Sequence, residues 1–226
     1  MNVMVIPAER ISVKVHEWPV PGQGPRLLWN VIIYGFPRPG LPWAVNWWRL
    51  RNCRRLLLPA LRIALASALR LPHVYGALWL AVIRRDGQMV PYGLASLRVV
   101  TNAGVAYLVD AMQNLVEPES LRYHGIGTGT AAEAVTDTAL GAELTTQYSP
   151  DNTRATGTLG EAAANVFRTV GTNTVDAAVT ISEHGIFSQA TVPGGTLLDR
   201  SVFAGIALAS GDSLQSTYDL TFNAGG

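Results

Sequence analysis

The side chains of this chain best suited to chemistry are His124 and His184, each placed just before a glycine, with Glu183 beside the second. Such groups could form a general base or two ligands of a metal, but no third ligand accompanies them at a workable spacing. They read as hydrogen-bonded structural histidines. Gly125–Thr130 (GIGTGT) offers backbone amides to an anion. It lacks the Lys-Ser/Thr ending of a phosphate loop, and its G-x-G-x-G spacing departs from the dinucleotide fingerprint, so it reads as a strand running out into a flexible loop. Asp199, Asp212 and Asp219 are dispersed and read as strand and turn residues. No G-x-S-x-G elbow or H-E-x-x-H helix occurs, and Cys53 is the sole cysteine, which rules out an intrachain disulfide and a cysteine-based zinc site. No catalytic, cofactor-binding or metal-binding residue is assigned, and no enzyme is expected.

A second constellation is aromatic and basic. Trp43, Trp47 and Trp48 stand beside Arg49 and Arg51, followed by Arg54, Arg55, Arg62 and Arg70. Tryptophan with arginine serves single-stranded nucleic acid, lipid headgroups and protein–protein hot spots alike, and the sequence leaves these readings open. Over Arg54–Arg70 (RRLLLPALRIALASALR), Arg55, Arg62 and Arg70 recur seven and eight residues apart, which sets them along one side of a helix. Such a helix would lie on a membrane surface or on nucleic acid, or pack on protein with its arginines against acidic neighbours. These nine residues are the candidate interaction set.

Charge divides the chain that must position these groups. Up to Arg85, eleven Arg and Lys14 face only Glu9 and Glu17, a balance of +10; from Asp86 onward five Arg face fourteen acids, a balance of −9. All six Trp lie in the first part, and no Thr occurs before Thr101. The net charge of +1 is thus a cancellation. Seven prolines between Pro7 and Pro42 argue against long regular elements there, leaving short strands over Arg10–His16 and Leu27–Tyr34. The same composition is what an unselected reading frame of GC-rich DNA encodes, which would place the true start near Tyr75–Trp79. The N-terminus lacks the pattern of a secretory signal, and Leu56–Leu71 is interrupted by Pro59, Arg62 and Arg70, so neither export nor a membrane span is expected.

The second part has legible elements. Leu78–Arg84, an Asp86-Gly87 turn and Met89–Val100 form a hairpin pattern. Thr101 or Asn102 caps an amphipathic helix over 103–115, in which Val105, Leu108, Val109 and Met112 recur at helical spacing until Pro118. Thr174–Ser182 and Ser213–Phe222 alternate strictly, each with one apolar and one wet face, and turns fall at the spacing of a sandwich. The fold expected is mainly β: an antiparallel, jelly-roll-like β-sandwich over 77–226 with one helix, preceded by an irregular basic Pro/Trp-rich arm over 1–76. A Thr-rich, lysine-free wet face suits repeated subunit contacts or sugar binding.

The ordered runs Tyr123–Thr130 (YHGIGTGT), Thr136–Leu144 (TDTALGAEL), Asn165–Val170 (NVFRTV), Ile181–Phe187 (ISEHGIF), Thr196–Phe203 (TLLDRSVF) and Ser210–Phe222 (SGDSLQSTYDLTF) resemble a family of small structural proteins of tailed bacteriophages and prophages. Ile181–Phe187 is also similar to a strand and turn of phage tail-collar and fibre-attachment domains. The resemblance covers about Leu80 to Phe222. It implies a β-rich, oligomeric virion component without enzymatic activity or cofactor, assembled in the host cytoplasm. Its partners would be capsid or tail subunits and its own copies, with a trimer as the working number. A head decoration, cement or fibre-base protein is the first expectation. A tail or fibre subunit contacting the host surface is the second, and a nucleic-acid- or membrane-surface-binding protein acting through residues 26–85 is the third.

Overall fold

In the computed structural model, residues 16–98 and 100–225 are described. The strand expected over Arg10–His16 falls almost wholly outside them. The β-sandwich is present as two antiparallel sheets. One holds five strands in the order β2-β1-β9-β6-β5, comprising β1 (His73–Ile83), β2 (Met89–Arg98), β5 (Thr158–Ala163), β6 (Val166–Thr174) and β9 (Ser213–Asn223). The other holds four in the order β4-β3-β7-β8, with β3 (Tyr123–Gly127), β4 (Ala155–Thr156), β7 (Val179–Phe187) and β8 (Leu197–Leu208). The Asp-Gly turn forms as expected: Gly87 takes φ 83°, and Asp86 Oδ1 accepts the Gln88 amide at 2.9 Å.

Residues 24–53 correct the expectation of an irregular arm, and the helix read over Arg54–Arg70 is present as the second half of a longer one. Residues 24–68 form two helices, α1 (Gly24–Gly35) and α2 (Trp43–Ala68). The prolines stand mainly at the boundaries, where a missing amide donor costs nothing: Pro25 opens α1, Pro37 and Pro39 lie between the helices, and Pro42 caps α2. Leu27–Tyr34, read as a strand, is helical because Leu27, Val31 and Gly35 recur every four residues on the buried face. At Gly35 an added Cβ would run into Leu56, so the two helices approach at that glycine.

The helices make a third layer. On β1, Leu78, Leu80 and Val82 face the second sheet and its Ile181, Phe203 and Ile206. The alternate residues Tyr75, Ala77, Trp79 and Ala81 face Trp18, Leu27, Val31, Leu56 and Ala60. Burial on both faces explains why Leu78–Ile83 reads as a continuous apolar run with no alternation.

The same cover corrects the wet face expected on β9. Gln215, Thr217, Asp219 and Thr221 alternate with Leu214, Tyr218 and Leu220, yet all four are buried. The His16 amide donates to Gln215 Oε1 at 2.9 Å, and Arg168 reaches the Trp18 carbonyl at 3.1 Å, so the segment before α1 lies across that face. The strand expected over Thr174–Ser182 is likewise two strand ends, β6 and β7, joined by a turn over Val175–Ala178.

The helix expected over 103–115 is α3 (Asn102–Met112), with the Thr101 hydroxyl accepting the Gly104 amide at 2.9 Å as its N-cap. Asn114 at φ 58° stops it ahead of Pro118. Its inward side is Gly104, Tyr107 and Leu108, whereas Val105, Val109 and Met112 face out.

Candidate functional site

The histidines and their neighbouring carboxylate part company because β7 alternates. His184 faces the sandwich interior and Glu183 faces the opposite side. His184 Nε2 lies 3.0 Å from His124 Nδ1, and His124 Nε2 lies 3.1 Å from Thr169 Oγ1. All three side chains are wholly buried. Burial pulls the His124 pKa down to about 3 and the His184 pKa well below its ordinary value, the neighbouring His124 adding to the second shift. Both rings are neutral, so one donates to the other. Close by, Asp199 accepts from Ser201 at 3.0 Å, and burial raises its pKa to about 7. Tyr218, pushed well upward by burial and by Asp199, completes this interior polar cluster. Gly76 leaves room for it: a Cβ there would sit 2.6 Å from the Tyr218 hydroxyl and 2.7 Å from Asp199 Oδ2. With every member inside the core, no substrate reaches it.

Glu183 holds the glycine-rich loop. Its Oε1 accepts the amides of Gly129 and Ala142 at 2.9 and 2.6 Å, and its Oε2 accepts the amide of Gly141 at 2.9 Å and the Arg200 guanidinium at 2.8 Å. Arg200 continues to Asp137 at 2.9 Å. GIGTGT is therefore the end of β3 and a loop in which the Gly129 amide already serves a carboxylate of the same chain and the Thr128 amide the Ala142 carbonyl, so neither is free for a phosphate. A Cβ on Gly129 would collide with Glu183, which accounts for the second glycine of the run's G-T-G.

Three further arginine–carboxylate pairs are consumed in the same way. Arg154 is buried against the Phe187 ring, forks onto Glu143 at 2.6 and 2.9 Å, and reaches the carbonyls of Gln189 and Gly194. Arg168 forks onto Asp219 at 2.6 and 2.8 Å, where the Trp79 indole also donates at 3.0 Å. Asp212 binds Arg84 at 2.7 Å in the turn before β9, and against the upward pull of burial the Ala209 amide, Arg84 and the Arg85 amide hold its carboxyl below the usual range. Among the described residues no three His, Cys, Asp or Glu side chains are placed to hold a metal.

The aromatic and basic set is divided by the helix that carries it. Trp48 and Arg49 leave the candidate surface: helical periodicity turns both onto the sheet. The Trp48 indole donates to the Ala204 carbonyl, and Arg49 donates to the carbonyls of Tyr92 at 2.8 Å and Ile33 at 3.0 Å. Arg49 meets no carboxylate among the described residues, and burial followed by Arg38 draws its pKa down to about 10. It works as a hydrogen-bonding tie between the helical layer and β2. At Gly93, φ is 105° and a Cβ would clash with the Tyr34 carbonyl and Arg49, so this approach requires glycine. Arg55 is half-buried and leans towards the Val202 carbonyl. Arg70 lies past the end of α2 at φ 55°, off the helical line expected for it.

Trp43, Trp47, Arg51, Arg54 and Arg62 remain exposed on α2. Trp43 and Trp47 stack one turn apart, with centroids 6.3 Å apart and planes 4° apart. Beyond them the same outer face carries Leu50, Leu57, Leu58, Leu61 and Leu65, with Leu69 at the helix end, all 47–60% exposed. This apolar stripe is what reading for charge missed. Its signal was in the sequence, since Trp43, Trp47, Leu50, Arg54, Leu57 and Leu61 step by four, three, four, three and four. No described helix is long and apolar enough to cross a membrane. No protein family, curated protein or solved structure matches the chain.

Proposed function

We propose that this chain is a non-enzymatic structural component of a tailed-phage particle, a head decoration, cement or fibre-base protein, that assembles through the outer face of α2. One observation carries the assembly role. A rigidly based helix presents Trp43, Trp47 and a row of leucines to solvent, whereas the titratable clusters His124/His184, Glu183/Arg200/Asp137, Arg154/Glu143 and Arg168/Asp219 are spent on internal ties. Exposed apolar rows of this kind mark surfaces that another macromolecule covers. The β-sandwich and the ordered motif set of residues 123–222 support the virion setting. Mass spectrometry of purified particles tests it: the protein is expected at a fixed stoichiometry to the major capsid or tail proteins, and its absence overturns the proposal.

A second reading draws on Arg51, Arg54 and Arg62, which stand on the same face as Trp43 and Trp47 with no acid between Glu17 and Asp86. It takes the face as a binding surface for nucleic acid or an anionic bilayer. Binding to single-stranded DNA that falls steeply with salt, and is lost in Arg51→Ala/Arg54→Ala, supports this reading over the first.

A further inference from the structure

The stripe on α2 has the spacing of a coiled-coil seam, and none of the described elements covers it. What could cover it is limited by charge. No carboxylate occurs between Glu17 and Asp86, so two α2 faces brought together would set Arg51, Arg54 and Arg62 against their like. The seam calls for a helix with apolar residues at steps of three and four, flanked by acids and free of cations.

The same chain holds such a helix. On α3, Val105, Val109 and Met112 step by four and three and face solvent, Met112 at 84% exposure. Asp110 lies beside them, and Glu117 and Glu119 are exposed just beyond. No Lys or Arg occurs between Arg98 and Arg122. An apolar row on a helix with an acidic border is the counterpart of an apolar row with a basic border, and fits it helix to seam. At about 1.5 Å per residue, α3 spans roughly 16 Å and α2 roughly 39 Å, so one α3 covers about one and a half heptads of the seam.

We infer that the α3 face of one copy docks along the α2 seam of a second copy. The contact joins different surfaces on its two sides, so each pairing leaves one α2 and one α3 free. Copies therefore add head to tail until the rotation closes a ring. This contact rests on the assembly role proposed above and names its partner as the chain itself.

The test uses the full chain and two surface variants in sedimentation equilibrium. Arg54→Glu/Leu57→Glu disables the seam, and Val109→Lys/Met112→Lys disables the α3 face. The parent is expected to assemble, and each variant alone to associate at least about tenfold more weakly while keeping the parent's melting temperature. An equimolar mixture of the two is expected to form a dimer that grows no further, because only one productive pair of faces remains. A parent that stays monomeric at its highest soluble concentration overturns the inference. So does an α3 variant that assembles like the parent, or a mixture that stays monomeric. Phosphatidylglycerol vesicles give a further arm: a monomeric parent that binds them, with binding lost only in the seam variant, assigns the face to an anionic bilayer and overturns the contact. Particle content decides the virion role separately. A chain missing from particles that still passes the mixing test refutes that role and leaves the contact standing.

Discussion

His124 and His184 meet ring to ring between β3 and β7, Nδ1 of the first 3.0 Å from Nε2 of the second, inside the core. Because folding holds both imidazoles neutral, the unfolded chain binds protons that the folded chain refuses. Stability is then full above the unfolded pKa near 6.5 and falls as pH drops towards 3, with a limiting slope of about 1.4 kcal/mol per pH unit for each ring. Urea midpoints between about pH 7 and pH 4 should decline steadily. A flat profile would show that the rings are not held neutral.

Asp199 works in the opposite sense. Its folded pKa of about 7 lies above its unfolded value, so the folded chain holds a proton that the unfolded chain gives up, and this contribution is lost as pH rises from about 4 to 7. Asp199→Asn should therefore gain stability relative to the parent at pH 8 compared with pH 5, and its acid limb should be steeper. Chemical denaturation of the two proteins at both pH values is the measurement.

Glu183→Ala removes the acceptor shared by three loop amides and leaves the Arg200 guanidinium in a buried site with Asp137 as its one carboxylate among the described residues. Breaking such a pair costs about 3–5 kcal/mol. The expected outcome is a fall of that order in unfolding free energy, together with protease cleavage within residues 128–142.

Gly93→Ala places a methyl group against the Tyr34 carbonyl and Arg49, in a backbone conformation that suits glycine. A loss of about 1–3 kcal/mol is expected, read by thermal melting. The helical layer should loosen first, with faster amide exchange in α1 than in β7.

A chain beginning at Tyr75 lacks the cover over Trp79, Ala77, Leu94 and Leu97. It should be insoluble or bind a hydrophobic dye strongly. A well-folded, soluble product would show instead that residues 1–74 are dispensable, as a translation start near Tyr75–Trp79 would require.

Local pattern was enough to find the β1–β2 hairpin, the Thr101 cap, α3 and the alternation of β9, because each depends on neighbours within a few residues. The second half of α2 was legible over Arg54–Arg70 despite Pro59, whereas α1 and the start of α2 were hidden because Pro25 and Pro42 read as breakers but stand at helix starts. Burial of Asp219 could not be read from its own strand. It depends on Arg168, 51 positions away, and on Trp79, 140 positions away. The split of Trp47 from Trp48 follows from helical periodicity alone, since adjacent residues point about 100° apart around α2.

The position of β9 between β1 and β6 bears on how the protein is made. The five-stranded sheet stays in two pieces, β2-β1 on one side and β6-β5 on the other, until residues 213–223 have left the ribosome. Until then Trp79 and its neighbours on β1 await a partner 140 positions downstream. A nascent chain in this state displays an open strand edge, the kind of surface that chaperones bind and that aggregates otherwise. A chain stopped short of residue 213 leaves that edge unpaired, because β9 alone joins β1 on one side to β6 on the other.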